Sequence, residues 1–383
     1  MLKDTGTALP EIAFIDLRAQ RHRLGDRIER AIGRVLDHGQ FILGREVDAV
    51  EAKLAEFCGA PHVIACANGT DALHLVLMAR GIGPGDAVIC PAFTFAAPAE
   101  VIAITGATIV FADVLADTFN IDPAGIVRAC DLARKRGLTP RAVIAVDLYG
   151  QPADYDVIEA ICAEEDLFLL ADTAQGFGAT YKGRKTGTIG GATGTSFFPA
   201  KPLGCYGDGG AIFTADPELD RLLRSIRMHG QGAERYEHAR VGVNSRLDAV
   251  QAAILMEKLS IFGEEIEARD RAATRYSEGL ADVVAVPKLA HGSTSVWAQY
   301  TLRLGGRNRD AFVAALRADG VPTAVHYPRP LHRQAAFLGH LTAGDQLPVA
   351  EHLANEVVSL PMHAYLREDT QDRIIASVRR ALA

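Results

Sequence analysis

Residues 62–95 read HVIACANGTDALHLVLMARGIGPGDAVICPAFTF. The apolar run HVIAC is followed by a helical pattern from Thr70 to Arg80 and then by a second apolar run, AVIC. The alternation continues to about residue 215, where the further apolar runs are ATIVF, AVIAVDLYG, LFLLAD, GTSFF and GAIFT. Buried strands separated by helices are typical of a mostly parallel sheet with helices on both faces. The sequence therefore predicts an α/β domain.

The pattern changes in the carboxyl-terminal part of the chain. Beyond residue 217 it is helical as far as about residue 280, apart from a polar loop at 229–248. The strand-like stretch VWAQYTLRL and further helical stretches follow. We predict a large α/β domain at residues 1–255 and a smaller α+β domain at residues 256–383, with a long connecting helix at the boundary.

Composition and charge exclude several classes of protein. The chain of 383 residues has a formal net charge of -7 and a pI near 6.0, whereas a nucleic acid or an anionic membrane requires a dominant basic face. The first residues, MLKDTGTALPE, lack a basic segment followed by an apolar stretch, and no apolar run is long enough to span a bilayer. We therefore expect a cytoplasmic protein that binds neither nucleic acid nor membrane.

The six cysteines are scattered along the chain, with no C-x-x-C pair and no histidine at metal-ligand spacing. We expect no metal site and interpret the cysteines as reduced core residues. For Cys205, which lies close to Lys201, a redox or nucleophilic role is the alternative. Free cysteine is commonly a small buried hydrophobe, so we favour the core interpretation.

Polar and aromatic residues follow four of the predicted strands. They lie in the segments Asn68–Thr70, Pro91–Phe95, Asp172–Gln175 and Pro199–Lys201. Ligands of parallel α/β sheets bind beyond the carboxyl ends of the strands. We therefore expect these four segments to meet in one crevice.

Lys201 lies between two prolines in SFFPAKPLGCYGDGG, residues 196–210. A lysine fixed at a strand end acts as a nucleophile when an aldehyde uses its amine, and pyridoxal phosphate is the strongest candidate. That cofactor also needs an acid at its pyridine nitrogen, a ring to stack on and donors for its phosphate. Asp172 offers the carboxylate, although an aspartate followed by threonine is also typical of a helix cap.

The same crevice offers candidates for the phosphate and the ring. Gly69 and Thr70 open a helix directly after a strand, where backbone N–H groups and the helix dipole hold anions, and a plain capping turn is the alternative. Ser196 offers a hydroxyl to the same phosphate. Phe95 stands where its ring could cover the cofactor, with a core aromatic as the alternative. Each signal is weak alone, and their conjunction indicates a pyridoxal-phosphate enzyme.

Longer stretches resemble a known family over nearly the whole chain, in both order and spacing. It is the family of DegT/DnrJ/EryC1/StrS sugar aminotransferases, a branch of the fold-type-I pyridoxal-phosphate enzymes related to aspartate aminotransferase. The stretches are FIDLRAQ, ANGTDALHLVLMARGIGPGDAVICPAFTF, LLADTAQGFGATYKGRKTG, SFFPAKPLGCYGDGGAI, GVNSRLDAVQAAIL and the HYP segment. The resemblance implies a large domain with a mostly parallel seven-stranded sheet between helices and a smaller carboxyl-terminal α+β domain.

The resemblance also implies a role for each residue of the crevice. It makes Lys201 the Schiff-base lysine and Asp172 the partner of the pyridine nitrogen, and these two are the expected catalytic residues. Some relatives with histidine in place of this lysine are dehydrases, so Lys201 favours transamination. The other expected cofactor contacts are Gln175 at the ring hydroxyl, Phe95 on the ring, and Gly69, Thr70, Ser196 and Asn244 at the phosphate. In the family, the asparagine at the position of Asn244 comes from a neighbouring subunit, which implies a homodimer with shared active sites.

The family aminates keto sugars carried on nucleoside diphosphates, with an amino acid, commonly glutamate, as donor. The fragments GCYGDGGAIFT, HGQ, VGVNSRLDAVQAAIL and SVWAQYT resemble most the enzymes that aminate C3 of UDP-2-acetamido-2-deoxy-3-oxo-glucuronic acid for bacterial surface polysaccharides such as lipopolysaccharide. Arg246 is then expected to bind the substrate carboxylate across the dimer, with a surface arginine as the alternative. His229, His326 and Tyr327 are expected around the sugar, or else are packed or capping residues.

Two other functions stay open at this point. One is an aminotransferase for a 3-keto or 4-keto 6-deoxyhexose on dTDP or GDP. The other is a non-catalytic regulator that binds pyridoxal phosphate or a sugar, and intact Lys201, Asp172 and Gln175 count against it. A nicotinamide dehydrogenase is rejected, because Cys205–Gly210 does not match G-x-G-x-x-G and precedes a predicted strand rather than a helix.

Overall fold

The computed structural model describes residues 11–234 and 236–383. Residues 1–10, which make up most of the amino-terminal stretch considered above as a targeting segment, lie outside the described residues. Position 235 in the polar loop lies outside them as well. Within the described part of the chain, no helix combines the length and the apolar composition that crossing a membrane requires.

One large sheet lies at the centre of the fold. The strands are β1 (His62–Cys66), β2 (Asp86–Pro91), β3 (Thr108–Ala112), β4 (Thr139–Val146), β5 (Phe168–Asp172), β6 (Thr180–Tyr181), β7 (Arg184–Lys185), β8 (Ala192–Ser196), β9 (Gly210–Thr214), β10 (Tyr300–Arg303), β11 (Leu341–Thr342) and β12 (Val357–Leu360). Eight of them form one sheet in the order β1-β9-β8-β5-β4-β2-β3-β11, in which only β9 runs antiparallel to its neighbours.

All seven predicted strands are present, and the mostly parallel α/β fold is confirmed. The predicted number of strands was one too low, because β11 from the carboxyl-terminal part adds an eighth strand beside β3. A strand of two residues is too short to produce the apolar pattern from which strands are predicted.

Helices connect and cover the strands. In chain order they are α1 (Leu17–Leu24), α2 (Arg27–His38), α3 (Arg45–Cys58), α4 (Gly69–Ala79), α5 (Ala97–Ile104), α6 (Pro123–Lys135), α7 (Tyr155–Glu165), α8 (Pro217–Ile226), α9 (Ala249–Leu280), α10 (Arg309–Ala318), α11 (Pro348–Glu356) and α12 (Glu368–Leu382). Short 3₁₀ turns lie at Leu148–Gly150, Leu331–Arg333 and Ala335–Phe337. Asp216 caps α8, since its Oδ1 accepts the N–H of Glu218 at 2.8 Å.

Successive side chains of a strand point to opposite faces of the sheet, and both faces are buried. In β2, Val88 and Cys90 belong to a buried cluster with residues of α4 and α5. Ala87 and Ile89, on the opposite face, belong to a second cluster with residues of α6 and α7. The sheet is therefore covered by helices on both sides, which leaves its carboxyl edge as the accessible place for a site.

A smaller core forms in the carboxyl-terminal part, where β10 pairs antiparallel with β12 and packs with α10 and α12. Helix α9, 32 residues long, reaches both cores. Leu255 and Phe262 pack in a cluster beside the large sheet, and Tyr276 and Leu280 pack in the smaller core. Residue 255 lies inside this helix, and the proposed division of the chain after it stays a prediction.

A buried ion pair connects α3, β1 and the end of α8. Glu51 on α3 accepts from Arg227 Nη1 at 2.7 Å and from the N–H of Ala65 at 2.9 Å. Arg227 Nη1 also donates to the carbonyl of Ala65 at 2.6 Å. Buried charges are tolerated when they are paired and hydrogen-bonded. This pair holds the start of the polar loop against the first strand.

All six cysteines are free and buried, so the interpretation as core residues is confirmed. Cys205 Sγ donates to the carbonyls of Phe197 and Gly207, each at 3.1 Å. Burial raises the pKa of its thiol, which disfavours a reactive thiolate. The glycine-rich run after it leads into β9 and not into a helix, as the rejection of a dinucleotide loop requires.

Candidate active site

Lys201 lies in the loop between β8 and β9. Its N–H donates to the carbonyl of Phe198 at 2.8 Å, and the N–H of Cys205 donates to the carbonyl of Phe197 at 2.8 Å, so the loop folds back on the end of β8. Burial lowers the pKa of the Lys201 amine, while the Asp172 carboxylate raises it. The net lowering increases the fraction of neutral, nucleophilic amine compared with an exposed lysine.

Asp172 ends β5, beside Gly194 of β8, and is buried. Its Oδ1 accepts the N–H of Ala174 at 3.0 Å. Burial raises the pKa of this carboxyl, and the Ala174 bond and the Lys201 charge oppose that rise. No helix of the described chain begins at this turn, so the alternative of a helix cap is wrong. Asp172 and Lys201 lie close enough for each charge to shift the pKa of the other.

Gln175 is buried in the turn after β5, the strand that pairs with β8, and both ends of its amide are hydrogen-bonded. Its Oε1 accepts the N–H of Tyr149 at 2.9 Å, and its Nε2 donates to Tyr327 Oη at 3.2 Å. The Tyr149 hydroxyl donates to the carbonyl of His326. Sequence analysis missed Tyr149, although it lies in the run AVIAVDLYG just beyond the end of β4 and so stands at a fifth strand end of the same sheet.

The HYP segment comes from the carboxyl-terminal part of the chain and reaches the same crevice. Burial raises the pKa of the Tyr327 hydroxyl, and the Asp172 charge adds to the rise. Burial and the Lys201 charge both lower the pKa of His326, whose Nδ1 lies 3.0 Å from Ser359 Oγ. Two of the three residues predicted around the sugar thus lie beside the predicted catalytic pair.

Phe95 is an exposed aromatic side chain at the carboxyl end of β2, with 53% of its surface accessible. Its ring centroid lies 6.3 Å from that of Tyr327. The neighbouring Phe93 is fully buried and packs edge-on against Tyr327, with centroids 6.3 Å apart. Phe93 is the core aromatic of this segment, whereas Phe95 presents its ring to the crevice.

The predicted phosphate site lies where α4 begins. Asn68 Oδ1 accepts the N–H of Asp71 at 2.8 Å, so Asn68 caps the helix and Gly69 and Thr70 occupy its first turn. A Cβ on Gly69 would lie 2.6 Å from Ser196 Cβ. Only glycine allows the amino end of α4 to approach the end of β8 so closely. Three of the four predicted phosphate contacts therefore lie together.

The remaining predicted residues lie on another segment. His229 and Asn244 belong to the two arms of the polar loop, where the N–H of His229 donates to the carbonyl of Val243 at 2.9 Å and Met228 forms an isolated bridge with Asn244. Asn244 is exposed. Arg246 Nη1 lies 4.0 Å from Met228 Sδ. No described contact joins these three predicted residues to Lys201 or Asp172 of the same chain.

The crevice fits pyridoxal phosphate. It combines an amine of lowered pKa, a buried carboxylate, an amide, an exposed ring and the amino end of a helix. These are the groups that suit the cofactor's aldehyde, ring nitrogen, ring hydroxyl, ring face and phosphate. The cradle is specific, since a Cβ on Gly69 would fill the space against Ser196. Among the described residues, no cluster of three or more His, Cys, Asp or Glu side chains is able to hold a metal ion.

The fold and this crevice suit an aminotransferase, and the comparison with known families agrees. The chain belongs to the DegT/DnrJ/EryC1/StrS aminotransferase family, whose sequence profile matches residues 22–379. The predicted family and the prediction of an enzyme are confirmed.

Individual relatives cover almost the whole chain. The UDP-2-acetamido-2-deoxy-3-oxo-D-glucuronate aminotransferase of Pseudomonas aeruginosa is 51% identical over 358 residues, which are 93% of this chain and 96% of that protein. The protein in the crystal structure of a DegT DnrJ EryC1 StrS aminotransferase from Brucella abortus is 50% identical in sequence to this chain. The two structures have a TM-score of 0.95, over 97% of this chain and 100% of that chain. The crystal structure of NtdA from Bacillus subtilis with bound cofactor PMP is 27% identical, with a TM-score of 0.88 over 98% of this chain and 86% of that chain.

Proposed function

We propose that this protein is a pyridoxal-phosphate-dependent aminotransferase that moves an amino group from L-glutamate to C3 of UDP-2-acetamido-2-deoxy-3-oxo-glucuronic acid, in bacterial surface polysaccharide biosynthesis. The observation that carries the proposal is the 51% identity, over 93% of this chain, to the Pseudomonas aeruginosa aminotransferase of that substrate. The PMP bound to NtdA supports the cofactor, because PMP is the aminated form of pyridoxal phosphate.

Lys201 and Asp172 are the proposed catalytic residues. When bound, pyridoxal phosphate supplies an aldehyde that takes up the amino group and a ring that withdraws electrons from the reacting carbon. Lys201 Nζ takes the proton from the reacting carbon of glutamate and delivers a proton to C3 of the sugar. Its lowered pKa keeps the lone pair available for the first of these transfers. The buried Asp172 carboxylate would hold a proton at the pyridine nitrogen through a charge-assisted hydrogen bond.

The other residues of the crevice bind and orient. Gly69 and Thr70 offer main-chain N–H groups at the positive end of α4 to the phosphate, and Ser196 adds a hydroxyl. The Phe95 ring, 53% exposed, would cover one face of the cofactor. The Gln175 amide, fixed by two hydrogen bonds, would meet the ring hydroxyl. A fixed amide costs little entropy on binding, which favours a single orientation of the ring.

The proposed enzyme is a cytoplasmic homodimer that shares its active sites. Asn244 is exposed and has no described contact with Lys201 in its own chain, so it is free to serve the phosphate site of a second copy. The neighbouring Ser245 Oγ accepts the N–H of Ala67 at 3.2 Å, which places this segment beside the turn that leads into α4. Arg246 lies two residues further along and would enter the same shared site.

Arg246 is the proposed ligand of the uronate carboxylate. Its guanidinium pairs with no carboxylate of the described residues, and its one described contact is the sulfur of Met228. An unpaired guanidinium suits a planar anionic group. Arg246→Gln should raise the KM for the uronate about ten- to hundredfold, whereas the KM for the neutral UDP-2-acetamido-3-keto-glucose should not change. An equal effect on both sugars would remove Arg246 as the carboxylate ligand. His229, His326 and Tyr327 are proposed to contact the neutral part of the sugar.

The decisive experiment follows the visible absorbance of the purified protein. With pyridoxal phosphate present, a yellow band should appear, fade when glutamate is added, and return when the UDP-linked 3-keto uronate is added. Lys201→Ala should not show the band, and Lys182→Ala, at an exposed lysine paired with Asp156, should behave like the wild type. Fading without return would keep the aminotransferase and reject the uronate, in favour of a dTDP- or GDP-linked 6-deoxyhexose. A band that glutamate does not change would indicate a non-catalytic regulator instead.

A further inference from the structure

One buried residue, Tyr149, is bonded to three separate parts of the chain. It lies in the 3₁₀ turn that follows β4. Its N–H donates to Gln175 Oε1 at 2.9 Å, and its carbonyl accepts the N–H of Gln299 at 3.4 Å. Its hydroxyl donates to the carbonyl of His326. Each of its three polar groups therefore meets a different segment, and no role in the proposed reaction has yet been given to this residue.

The backbone of Tyr149 has a conformation that tyrosine rarely adopts. Its φ is 61°, in the left-handed region that favours glycine. Asn120 holds both flanks of the turn, since its Oδ1 accepts the N–H of Leu148 at 2.9 Å and its Nδ2 donates to the carbonyl of Gln151 at 3.0 Å. The Tyr149 ring packs edge-on against Phe119, with centroids 5.0 Å apart. A strained residue persists only where its surroundings fix it, and such residues cluster at functional sites.

The segment that receives the Tyr149 hydroxyl is carried by the smaller core. We call residues His326 and Tyr327 the sugar-facing segment, since the proposed function places both around the sugar. Just before it, Ala324 exchanges two main-chain hydrogen bonds with Ser359 of β12, at 3.1 Å and 2.8 Å. Ser359 Oγ also lies 3.0 Å from His326 Nδ1. The Tyr149 hydroxyl therefore bonds a segment of the smaller core to a strand end of the large sheet.

Three hydrogen bonds form a closed cycle through Tyr149. Its N–H donates to Gln175 Oε1, and the other end of that amide, Nε2, donates to Tyr327 Oη at 3.2 Å. The peptide bond leads from Tyr327 back to His326, whose carbonyl accepts the Tyr149 hydroxyl. A closed cycle fixes the distance between the Gln175 amide and the sugar-facing segment, because neither is able to move without breaking a bond.

We propose that Tyr149 is a positioning residue that sets the sugar-facing segment against the cofactor-binding turn at Asp172–Gln175. The main-chain N–H of Tyr149 orients the Gln175 amide, and its hydroxyl places His326 and Tyr327 at a fixed distance from that amide. The role at the sugar rests on the proposed function, whereas the closed cycle of hydrogen bonds does not.

Tyr149→Phe removes the hydroxyl but keeps the ring, the N–H and the carbonyl. Tyr276→Phe is the matched control, because Tyr276 is another buried tyrosine whose hydroxyl donates to a main-chain carbonyl, that of Pro361 at 3.0 Å. It lies in the smaller core. Each change removes one hydrogen bond of the same kind, so a merely structural role would give the two variants the same properties.

The first test needs neither cofactor nor sugar. Hydrogen exchange of the apoprotein, followed by mass spectrometry, reports how firmly residues 324–331 are held. Peptides from this stretch should exchange about fivefold faster in Tyr149→Phe than in Tyr276→Phe, because one bond that holds the sugar-facing segment to the large sheet is lost. Equal exchange rates of these peptides in the two variants would overturn the proposal.

The second test addresses the role at the sugar. In the cofactor-loaded enzyme, the KM for the UDP-linked 3-keto uronate should be about five- to tenfold higher in Tyr149→Phe than in Tyr276→Phe. The KM for glutamate and the position of the visible band should be equal in the two variants, because the N–H that orients Gln175 is kept. An equal KM for the sugar, or an equally raised KM for glutamate, would overturn the role at the sugar.

Failure of the proposed function has a different signature. If the wild type showed no visible band, or if the band did not return with the sugar, the proposed function would fail. The exchange test would still decide whether Tyr149 holds the sugar-facing segment.

Discussion

Replacing Gly69 by alanine tests whether the close approach of α4 to β8 builds the phosphate cradle. The added Cβ would lie 2.6 Å from Ser196 Cβ and 3.1 Å from Ser196 Cα, whereas carbon atoms prefer separations of about 3.5–4.0 Å. One of the two elements must therefore move by about 1 Å, and overpacking of this kind costs about 1–3 kcal/mol. Alanine regains at most about 1 kcal/mol through its higher helix propensity. We expect Gly69→Ala to lose about 1–2 kcal/mol of unfolding free energy.

The matched control is Gly263→Ala on α9, where an added Cβ meets nothing within 4 Å and stability should rise by about 0.5–1 kcal/mol. Guanidinium denaturation of the apoproteins measures both values, and absorbance titration with pyridoxal phosphate should show about tenfold weaker binding for Gly69→Ala alone. In a Ser196→Gly background, which removes the clashing Cβ, the alanine should cost less. If Gly69→Ala matched Gly263→Ala in both stability and cofactor affinity, the cradle would not depend on this contact.

Three further predictions concern a buried lysine, a buried ion pair and the shared site. Lys258 on α9 is 1% exposed, its Nζ has no described hydrogen-bond partner, and burial lowers its pKa to about 8. Lys258 binds its proton more tightly in the unfolded chain than in the folded one. Lys258→Met should therefore stabilise the protein by about 3 kcal/mol at pH 7 but by only about 1 kcal/mol at pH 10, as measured by urea denaturation. A gain in stability that does not depend on pH would contradict the burial argument. Glu51→Gln should lower the free energy of unfolding by about 3 kcal/mol, because Arg227, one of its two arginine partners, stays buried and charged. Glu218→Gln, in an exposed pair, should lower it by less than about 1 kcal/mol, and equal losses would refute the argument. Mixing inactive Lys201→Ala and Asn244→Ala chains should restore about a quarter of the wild-type activity, since half of the dimers then hold one intact site; no recovery would place both residues in one chain's site.

The central strands were predictable because each is a continuous apolar run that is buried on both faces of the sheet. The first helices leave little apolar pattern in the sequence, and α1 shows the reason. It buries Gln20, whose Nε2 donates to Glu265 Oε1 at 2.9 Å. A helix that is held through a buried amide leaves little apolar periodicity in the sequence.

The candidate site was predictable where it follows the sheet. Lys201, Asp172 and Gln175 converge because the carboxyl ends of parallel strands share one edge. Contacts between distant parts of the chain were not predictable, such as the bond from Tyr149 to the carbonyl of His326.

Helix α9 fixes the distance and the angle between the two cores from which the crevice is built. Its 32 residues span about 48 Å at the usual rise of an α-helix, with Phe262 in one core and Tyr276 in the other. Inserting one residue between them would turn everything beyond by about 100° and advance it by about 1.5 Å, which would carry Tyr327 away from Gln175. Seven inserted residues would come within about 20° of the original direction but would lengthen the spacing by about 10 Å. An inserted residue would therefore be tolerated better in the loops at either end of this helix than in its interior, which sets both the angle and the distance at which the two halves of the site meet.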